Sequence, residues 1–319
     1  MVAVSVIVPA RNASATIDRT LTALAAQDLS DRFEVIVVDD GSSDSTVAVA
    51  ARSGATVLRQ EGLGPGQARN AGAAAASAPV LAFTDADCFP TSGWLREGLA
   101  ALDGRDLVQG RVLPDPEAQL RPFDHTIWVV GESGLYETAN LFVRRERFAE
   151  VGGFEDWLEV RIGKRLGEDV WLGWKLRRAG ARSGFAPAAL VHHAVFPRRW
   201  PEYVLERRRL VYFPDLVRKM PELRRQFLCA GLFVTPRSAA FATAVGGASA
   251  GAQLAARGAH SKGLALAVVA SGPYAVSVGR RIRRLGRHGL KVGLVDAAAD
   301  AVGLASLIWG SARRRTLVL

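Results

Sequence analysis

The chain has 319 residues, 49% of them hydrophobic, which is more than one ordinary domain needs and enough for a sizeable core. Its two cysteines, Cys88 and Cys229, make neither a thiolate metal cluster nor a disulfide framework, which excludes a disulfide-stapled secreted module and favours a reducing compartment. The net charge of +10 sits at one end: from residue 257 onward eleven basic residues face only Asp296 and Asp300, while the first 256 residues carry 30 basic and 29 acidic side chains.

Val4-Ser5-Val6-Ile7-Val8 is a strand; the apolar run has no basic leader and meets Arg11 at once, so it reads as a buried first strand and not as a signal peptide. Ser14 then caps a helix in which Ile17, Leu21 and Leu24 share one face. Val35 to Val38 is the second strand, followed by a helix capped by Ser43. Ala55 to Leu58 is the third strand, followed by a glycine-rich loop and an alanine-rich helix to about Ser77. Val80 to Phe83 closes the series. Continuous apolar strands separated by helices predict a mostly parallel sheet covered on both faces, with ligands at the carboxyl ends of the strands.

Polar residues stand where that architecture needs them. Arg11 and Asn12 follow the first strand, Asp39 and Asp40 the second, Asp85 and Asp87 the fourth. Carboxylates gathered on one edge repel each other unless a cation or hydrogen-bond donors offset the cost, and a metal is the economical answer. Gly62-Leu63-Gly64-Pro65-Gly66 follows a strand and precedes a helix, as a dinucleotide-binding turn does. The third glycine of that fingerprint would be residue 67, which is Gln67, so the loop is read as a flexible cover over a ligand site.

Beyond residue 105, Pro114, Pro116 and Pro122 mark loops. A helix carrying Val170, Leu172, Trp174 and Leu176 follows Glu168-Asp169, and Phe185 to Val191 is a strand ending in His192-His193. A basic stretch from Arg198 to Arg225 leads into a tail with three apolar stretches: Ser238 to Ala256, Gly263 to Gly279 and Val292 to Gly310. None is a strong transmembrane helix: the first is mostly alanine, glycine and serine, the second is short with Pro273, and the third carries Asp296 and Asp300. The tail interleaves basic residues with apolar stretches and lacks aromatics to stack on bases. This argues against nucleic acid and for an anionic membrane surface.

In Asp85-Ala86-Asp87 two carboxylates at i and i+2 of an extended segment point the same way and can face one hard cation such as Mg²⁺ or Mn²⁺. For an isolated triplet of this kind a solvated acidic turn is the better account, and the context of the other motifs has to decide. Asp40 suits a base N–H or ribose hydroxyl, and Arg69 at a helix start suits phosphate. Asp39 and Asp44 read instead as caps of the following turn.

Three stretches, Val35 to Asp44, Gly66 to Gly72 and Thr84 to Asp87, resemble the family 2 glycosyltransferases in order and spacing. Two later ones agree: Glu137 to Arg145 with Val151-Gly152-Gly153-Phe154, and Gly167-Glu168-Asp169-Val170-Trp171-Leu172. The resemblance covers roughly residues 3 to 195 and implies a GT-A (nucleotide-diphospho-sugar transferase) fold over 1–225, with a helical, membrane-associated region over 226–319. It implies that Pro9, Arg11, Asp40 and Arg69 frame the nucleotide and that Asp85 and Asp87 serve the donor and a divalent cation. It also implies Asp169 as general base with Glu168 as its orienter, and Glu137, Asn140 and Trp171 near the sugar or acceptor. One histidine of the His192-His193 doublet, His193 by preference, would complete the metal site with Asp87 and Asp85. Adjacent strand residues point to opposite faces, so only one of the two serves.

The activity so implied is inverting transfer from a nucleotide-diphosphate sugar to a hydroxyl of a glycan or lipid-linked acceptor, in cell-envelope glycan synthesis at the cytoplasmic face of the plasma membrane. A polyprenyl-phosphate glycosyltransferase, a nucleotidyltransferase and a non-catalytic nucleotide-sugar-binding protein remain as alternatives.

Overall fold

In a computed structural model the β-branched runs at the head of the chain form strands and the periodic segments between them form helices. Residues 2–163 and 166–319 are described, the side chain of Arg287 excepted. The chain divides into two compact units, Met1–Glu159 with Arg165–Pro197, and Val160–Lys164 with Arg198–Leu319.

The first unit runs β1 (Val2–Ala10), α1 (Ile17–Ala25), β2 (Arg32–Asp40), α2 (Thr46–Arg52), β3 (Thr56–Gln60), α3 (Pro65–Ala75) and β4 (Val80–Phe83). It continues through β5 (Cys88–Pro90), α4 (Trp94–Ala101), β6 (Leu107–Pro114), a 3-10 turn at Thr138–Asn140, β7 (Leu141–Arg144), α5 (Arg145–Glu150), α6 (Glu168–Arg178) and β8 (Ser183–His193). Ile17, Leu21 and Leu24 bury the inner face of α1 as their spacing requires. The expected serine caps are replaced: Thr16 and Ser45 occupy the N-cap positions of α1 and α2, and neither makes a side-chain cap bond. The Ser14 and Thr46 N–H groups are taken by the Asp44 carboxylate instead.

The eight strands form one sheet in the order β3-β2-β1-β4-β7-β6-β8-β5. Its first four strands are parallel, as expected, with Ala10 beside Asp39 and Asp40 beside Gln60, so the loops after these strands share one edge. The second half is mixed: β7 runs antiparallel to both β4 and β6, β6 and β8 are parallel, and β5 is antiparallel to β8.

A register shift in β8 shapes that half, because Gly110 lies opposite Ala186 while the next residue, Arg111, lies opposite Leu190. Asn140 fills the defect. Its Nδ2 donates to the Arg111 and Ala189 carbonyls at 2.8 Å each, and its Oδ1 accepts from Trp94 Nε1 at 2.8 Å. A Cβ on Gly110 would sit 2.2 Å from Asn140 Nδ2, so no larger residue fits there. Asn140 is fully buried with its amide committed to protein partners. Its expected contact with sugar or acceptor is therefore corrected: it bends the sheet.

The second unit contains α7 (Trp200–Glu206), a 3-10 segment Arg207–Tyr212, α8 (Phe213–Lys219), α9 (Leu223–Gln226), α10 (Pro236–Ala256), α11 (His260–Leu285) and α12 (Gly289–Arg314). The division falls after Pro197, ahead of the boundary at 225/226 read from the sequence. The physical reason is that α7, the 3-10 segment and α8 pack against α12, and Arg314 pairs with Asp215 at 2.5 Å. α10 and α11 form a tight antiparallel hairpin in which a Cβ on Gly251 would lie 2.4 Å from the Gly263 carbonyl oxygen. Arg237 of α10 and Arg281 of α11 pair with Asp300 and Asp296 of α12. A cavity of about 660 Å³ opens beside this network between Tyr203, Phe241, Pro273 and Leu307, and none of the carboxylates of the sheet edge lines it.

Candidate active site

The loops after β1 and β2 are tied together before any ligand is considered. Asn12 Oδ1 accepts from the Ser43 N–H at 2.8 Å, and Ser42 Oγ accepts from the Asn12 N–H at 2.9 Å. Asp39 accepts from the Ser42 N–H, the turn-bracing role its position suggests. Hydrogen bonds from Thr46 and Ser14 hold the Asp44 carboxyl well below the usual carboxylate range.

Asp40 is buried at the end of β2, where Gln60 Nε2 donates to one oxygen at 2.7 Å and the Gly64 N–H to the other at 2.9 Å. Its carboxylate therefore shapes the 61–64 loop. Arg11 is exposed, with Nη1 4.0 Å from Asp40 Oδ2, and Pro9 is half-buried near the end of β1 opposite Val38. The glycine loop is thus pinned to the carboxyl edge of the parallel strands.

Arg69 departs from its expected place. It is only 5% exposed, and its Nη2 donates to Asp85 Oδ1 at 2.6 Å while the guanidinium lies 5.6 Å from the Phe154 ring. Burial opposes its charge, and Asp85, Glu168 and Asp169 more than restore it. As part of the packed start of α3, Arg69 reaches the site through Asp85 and is not presented to a phosphate as a free cation.

Asp87 and His193 come together because β4 leads through Thr84–Asp87 straight into β5, which pairs with the end of β8. The Ala194 N–H donates to the Asp87 carbonyl at 2.9 Å, and His193 Nε2 lies 3.6 Å from Asp87 Oδ1. His193 Nδ1 is 2.6 Å from the Ala194 carbonyl oxygen, which anchors the ring with Nε2 turned toward Asp87. Thr126 Oγ1 lies 3.3 Å from the same Nδ1. His192 points elsewhere, with Nδ1 3.2 Å from the Pro114 carbonyl oxygen.

Asp87, Cys88 and His193 bring their ligating atoms within 4.8 Å of one another. Burial, then the charges of Asp85 and Asp87, push the Cys88 thiol well up, so it stays protonated at neutral pH. The donors on offer are a carboxylate oxygen and an imidazole nitrogen whose other nitrogen is anchored. That set fits Mg²⁺ or, with its imidazole, better Mn²⁺.

On the other side of Arg69, Gly167 in a left-handed conformation starts α6, and Glu168 and Asp169 fill its first turn. A Cβ on Gly66 would lie 3.5 Å from Glu168 Cγ, so the start of α3 packs against this acidic pair. Burial, then the charges of Glu168 and Glu137, raise Asp169 well above the usual carboxylate range. Glu137 is itself raised by burial, and its Oε2 is buried with no hydrogen-bond partner among the described residues. Trp171, one turn into α6, donates from Nε1 to Glu155 Oε2 at 2.9 Å.

Gln60, Cys88, Thr126 and Glu155 were missed by the sequence reading. Cys88 alone had a signal, as the neighbour of Asp87. The others are brought in by strand pairing or by loops far away in the chain.

The family model for glycosyl transferase family 2 matches residues 5–153. Glycosyltransferase AglE of Haloferax volcanii is 32% identical over 172 residues, covering 49% of this chain and 57% of that protein. The pre-mycofactocin glycosyltransferase of Mycobacterium tuberculosis is 32% identical over 214 residues, 60% of this chain and 42% of that protein. The chain thus spans about half the length of the curated relatives it matches. Among solved structures, the mannosyltransferase PcManGT of Pyrobaculum calidifontis, in complex with GDP-Man and Mn²⁺, superposes with a TM-score of 0.56. That match covers 95% of this chain and 86% of that one at 19% identity, a likeness of fold. Residues 5–153 thus match the glycosyl transferase family 2 model, and the strand order and the edge carboxylates agree with that match on a GT-A fold.

Proposed function

We propose that the protein is an inverting glycosyltransferase that moves a sugar from a nucleotide-diphosphate sugar to a hydroxyl of a glycan or lipid-linked acceptor. The observation that carries this reading is one chain of contacts along the sheet edge. His193 faces Asp87, Asp85 holds Arg69, and Arg69 lies within electrostatic reach of Glu168 and Asp169.

Asp40, Arg11 and Pro9 would receive the nucleoside at the loop that Asp40 organises. Asp87 and His193 would hold Mg²⁺ or Mn²⁺, with Asp85 beside them toward the donor sugar, and the cation supplies charge neutralisation on the diphosphate. Asp169, whose proton affinity is raised by burial and by Glu168 and Glu137, takes the proton of the acceptor hydroxyl. The acceptor oxygen then bonds to the anomeric carbon as the bond to the diphosphate breaks, and the configuration inverts. Glu168 orients Asp169, while Glu137 and Trp171 border the acceptor side. The C-terminal unit suits work on a membrane-held acceptor at the cytoplasmic face of the plasma membrane, since α11 and α12 are long and apolar enough to cross a bilayer by length and composition.

A panel of nucleotide sugars screened for thermal stabilisation with Mn²⁺ tests the donor assignment. At least one sugar is expected to raise the melting temperature in the parent chain and not in Asp87→Ala, and no shift with any of them overturns the assignment. Release of nucleoside diphosphate is expected on turnover, and pyrophosphate would mean a nucleotidyltransferase. A phosphate nucleophile needs no base, so full activity in Asp169→Asn would favour a polyprenyl-phosphate acceptor.

A further inference from the structure

The hairpin of α10 and α11 is largely apolar, and beyond its base, where α11 packs on α12, its two helices are covered by each other among the described residues. Its two helices meet through small residues, with Gly251 against Gly263 and Gly247 against Ala270, leaving the outer positions bare. On α11, Leu264, Val268 and Val269 are each more than 60% exposed, and on α10 Val245 is exposed as well. A helix lying flat on a surface has one polar face, and a helix apolar on every face is immersed.

Two of the hydroxyls on α10 point the same way. Thr243 Oγ1 donates to the Ala239 carbonyl at 2.8 Å and Ser249 Oγ to the Val245 carbonyl at 2.8 Å. Both hydroxyls are exposed positions that satisfy themselves on their own helix, the arrangement a hydrocarbon solvent requires. No charged residue lies between Arg237 and Arg257 or between Lys262 and Arg280. At about 1.5 Å per residue these stretches run roughly 25–30 Å, close to the ~30 Å hydrocarbon core.

α12 differs although its mean hydropathy is higher, 1.6 against 1.2 for α11. Asp296 and Asp300 stand in its middle, and they pair with Arg281 and Arg237 at the base of the hairpin. Gly303 and Gly310 of α12 are set against Leu210 and Val211 of the 3-10 segment. Two carboxylates within an apolar stretch make a poor span, and protein already covers that side of the helix.

We propose that the α10–α11 hairpin crosses the bilayer as a self-packed pair, its base at the cytoplasmic surface and its Arg257 to Lys262 tip among the opposite headgroups, while α12 stays with the base. The proposal rests on the membrane association proposed above and specifies its element and depth. Orientation follows from charge: Arg237, Arg280, Arg281, Arg283 and Arg284 crowd the base, against Arg257 and Lys262 at the tip. The ion pairs to α12 act as the collar that sets how far the hairpin enters.

Cysteine labelling of the full chain in intact bacterial cells tests this. In a Cys229→Ser background, with Cys88 buried, a membrane-impermeant maleimide added outside is expected to label Ser261→Cys at the tip roughly tenfold more than Leu290→Cys at the base. Opened cells should label both. Labelling of the two positions from the same side overturns the crossing. Membranes washed with carbonate are expected to keep the parent chain and to lose most of the double variant Val268→Asp/Val269→Asp. Release of the parent by carbonate also overturns the proposal. Neither readout needs turnover, so a tip reached from outside without any transfer activity removes the catalytic reading alone. Active protein with its tip on the cytoplasmic side removes the hairpin alone.

Discussion

Along the parallel half of the sheet, Asp39, Asp40 and Asp44 direct their oxygens at protein donors of the surrounding edge loops. The mixed half and α6 differ: Glu137 Oε2 has no partner among the described residues, and burial with the charges of Glu168 and Glu137 raises the proton affinity of Asp169. A closed hydrogen-bond network makes a stiff cradle, whereas groups left short of partners are those that gain most when a substrate or cation arrives. Arg69 and Asp85 lie at the junction and belong to the cradle in their bonding and to the reactive side in their neighbours.

The largest effect expected is on turnover in Asp169→Asn, a loss of about 10²–10⁴-fold with donor affinity retained. In the parent, burial and then Glu168 and Glu137 make the folded state hold the Asp169 proton more tightly than the unfolded chain does. Its contribution to stability is therefore full below the ordinary carboxylate range and is lost as pH rises through the raised value. Asp169→Asn should then melt higher than the parent at neutral pH, with the gap closing in acid, and turnover of the parent should rise with pH as the proton leaves. Equal melting temperatures across the pH range would show that Asp169 is an ordinary solvated carboxylate.

Asp85 and Asp87 should separate next. Asp85→Ala strands the buried Arg69 guanidinium and is expected to cost on the order of 3 kcal/mol in urea unfolding. Asp87→Ala removes a half-buried carboxylate that faces His193 at 3.6 Å and should cost well under half of that. Equal losses would place both carboxylates in the same role and break the distinction between cradle and reactive side.

Asn140→Ala should fall below Asp85→Ala, at about 2 kcal/mol, since it leaves the Trp94 N–H and the Arg111 and Ala189 carbonyls short of a partner. The register shift it fills carries the end of β8 toward β5, so the same variant should also need more Mn²⁺ for the donor-dependent thermal shift. Unchanged Mn²⁺ dependence alongside lost stability would confine Asn140 to packing.

The first four strands and α1, α3 and α6 were legible because their signals are local. Ile17, Leu21 and Leu24 report a helix face through spacing alone, and a carboxylate that follows an apolar strand must stand at the sheet edge. Helix starts were less legible. Ser14 and Ser43 have the right chemistry for caps, but Asp44, a stronger acceptor, took the N–H groups of Ser14 and Thr46. Asn140 was misread for a related reason: a polar residue in a motif-rich stretch suggests ligand contact, and only the opposing Gly110 and the looped register of β8 show that its amide has three protein partners.

By itself, the sequence determined which residues carry charge at the carboxyl edge, the alternation of strand and helix that gathers them there, and the segregation of basic charge into an apolar tail. Those are properties of neighbours in the chain, set by side-chain periodicity and strand direction. The tertiary structure alone decided which histidine faces Asp87, that Arg69 is buried under Asp85, and that the tail divides into a self-packed hairpin and an ion-paired α12. Each of these depends on which distant segments meet, and burial and pairing at such meetings set whether a charged group is held by the protein or left for a ligand.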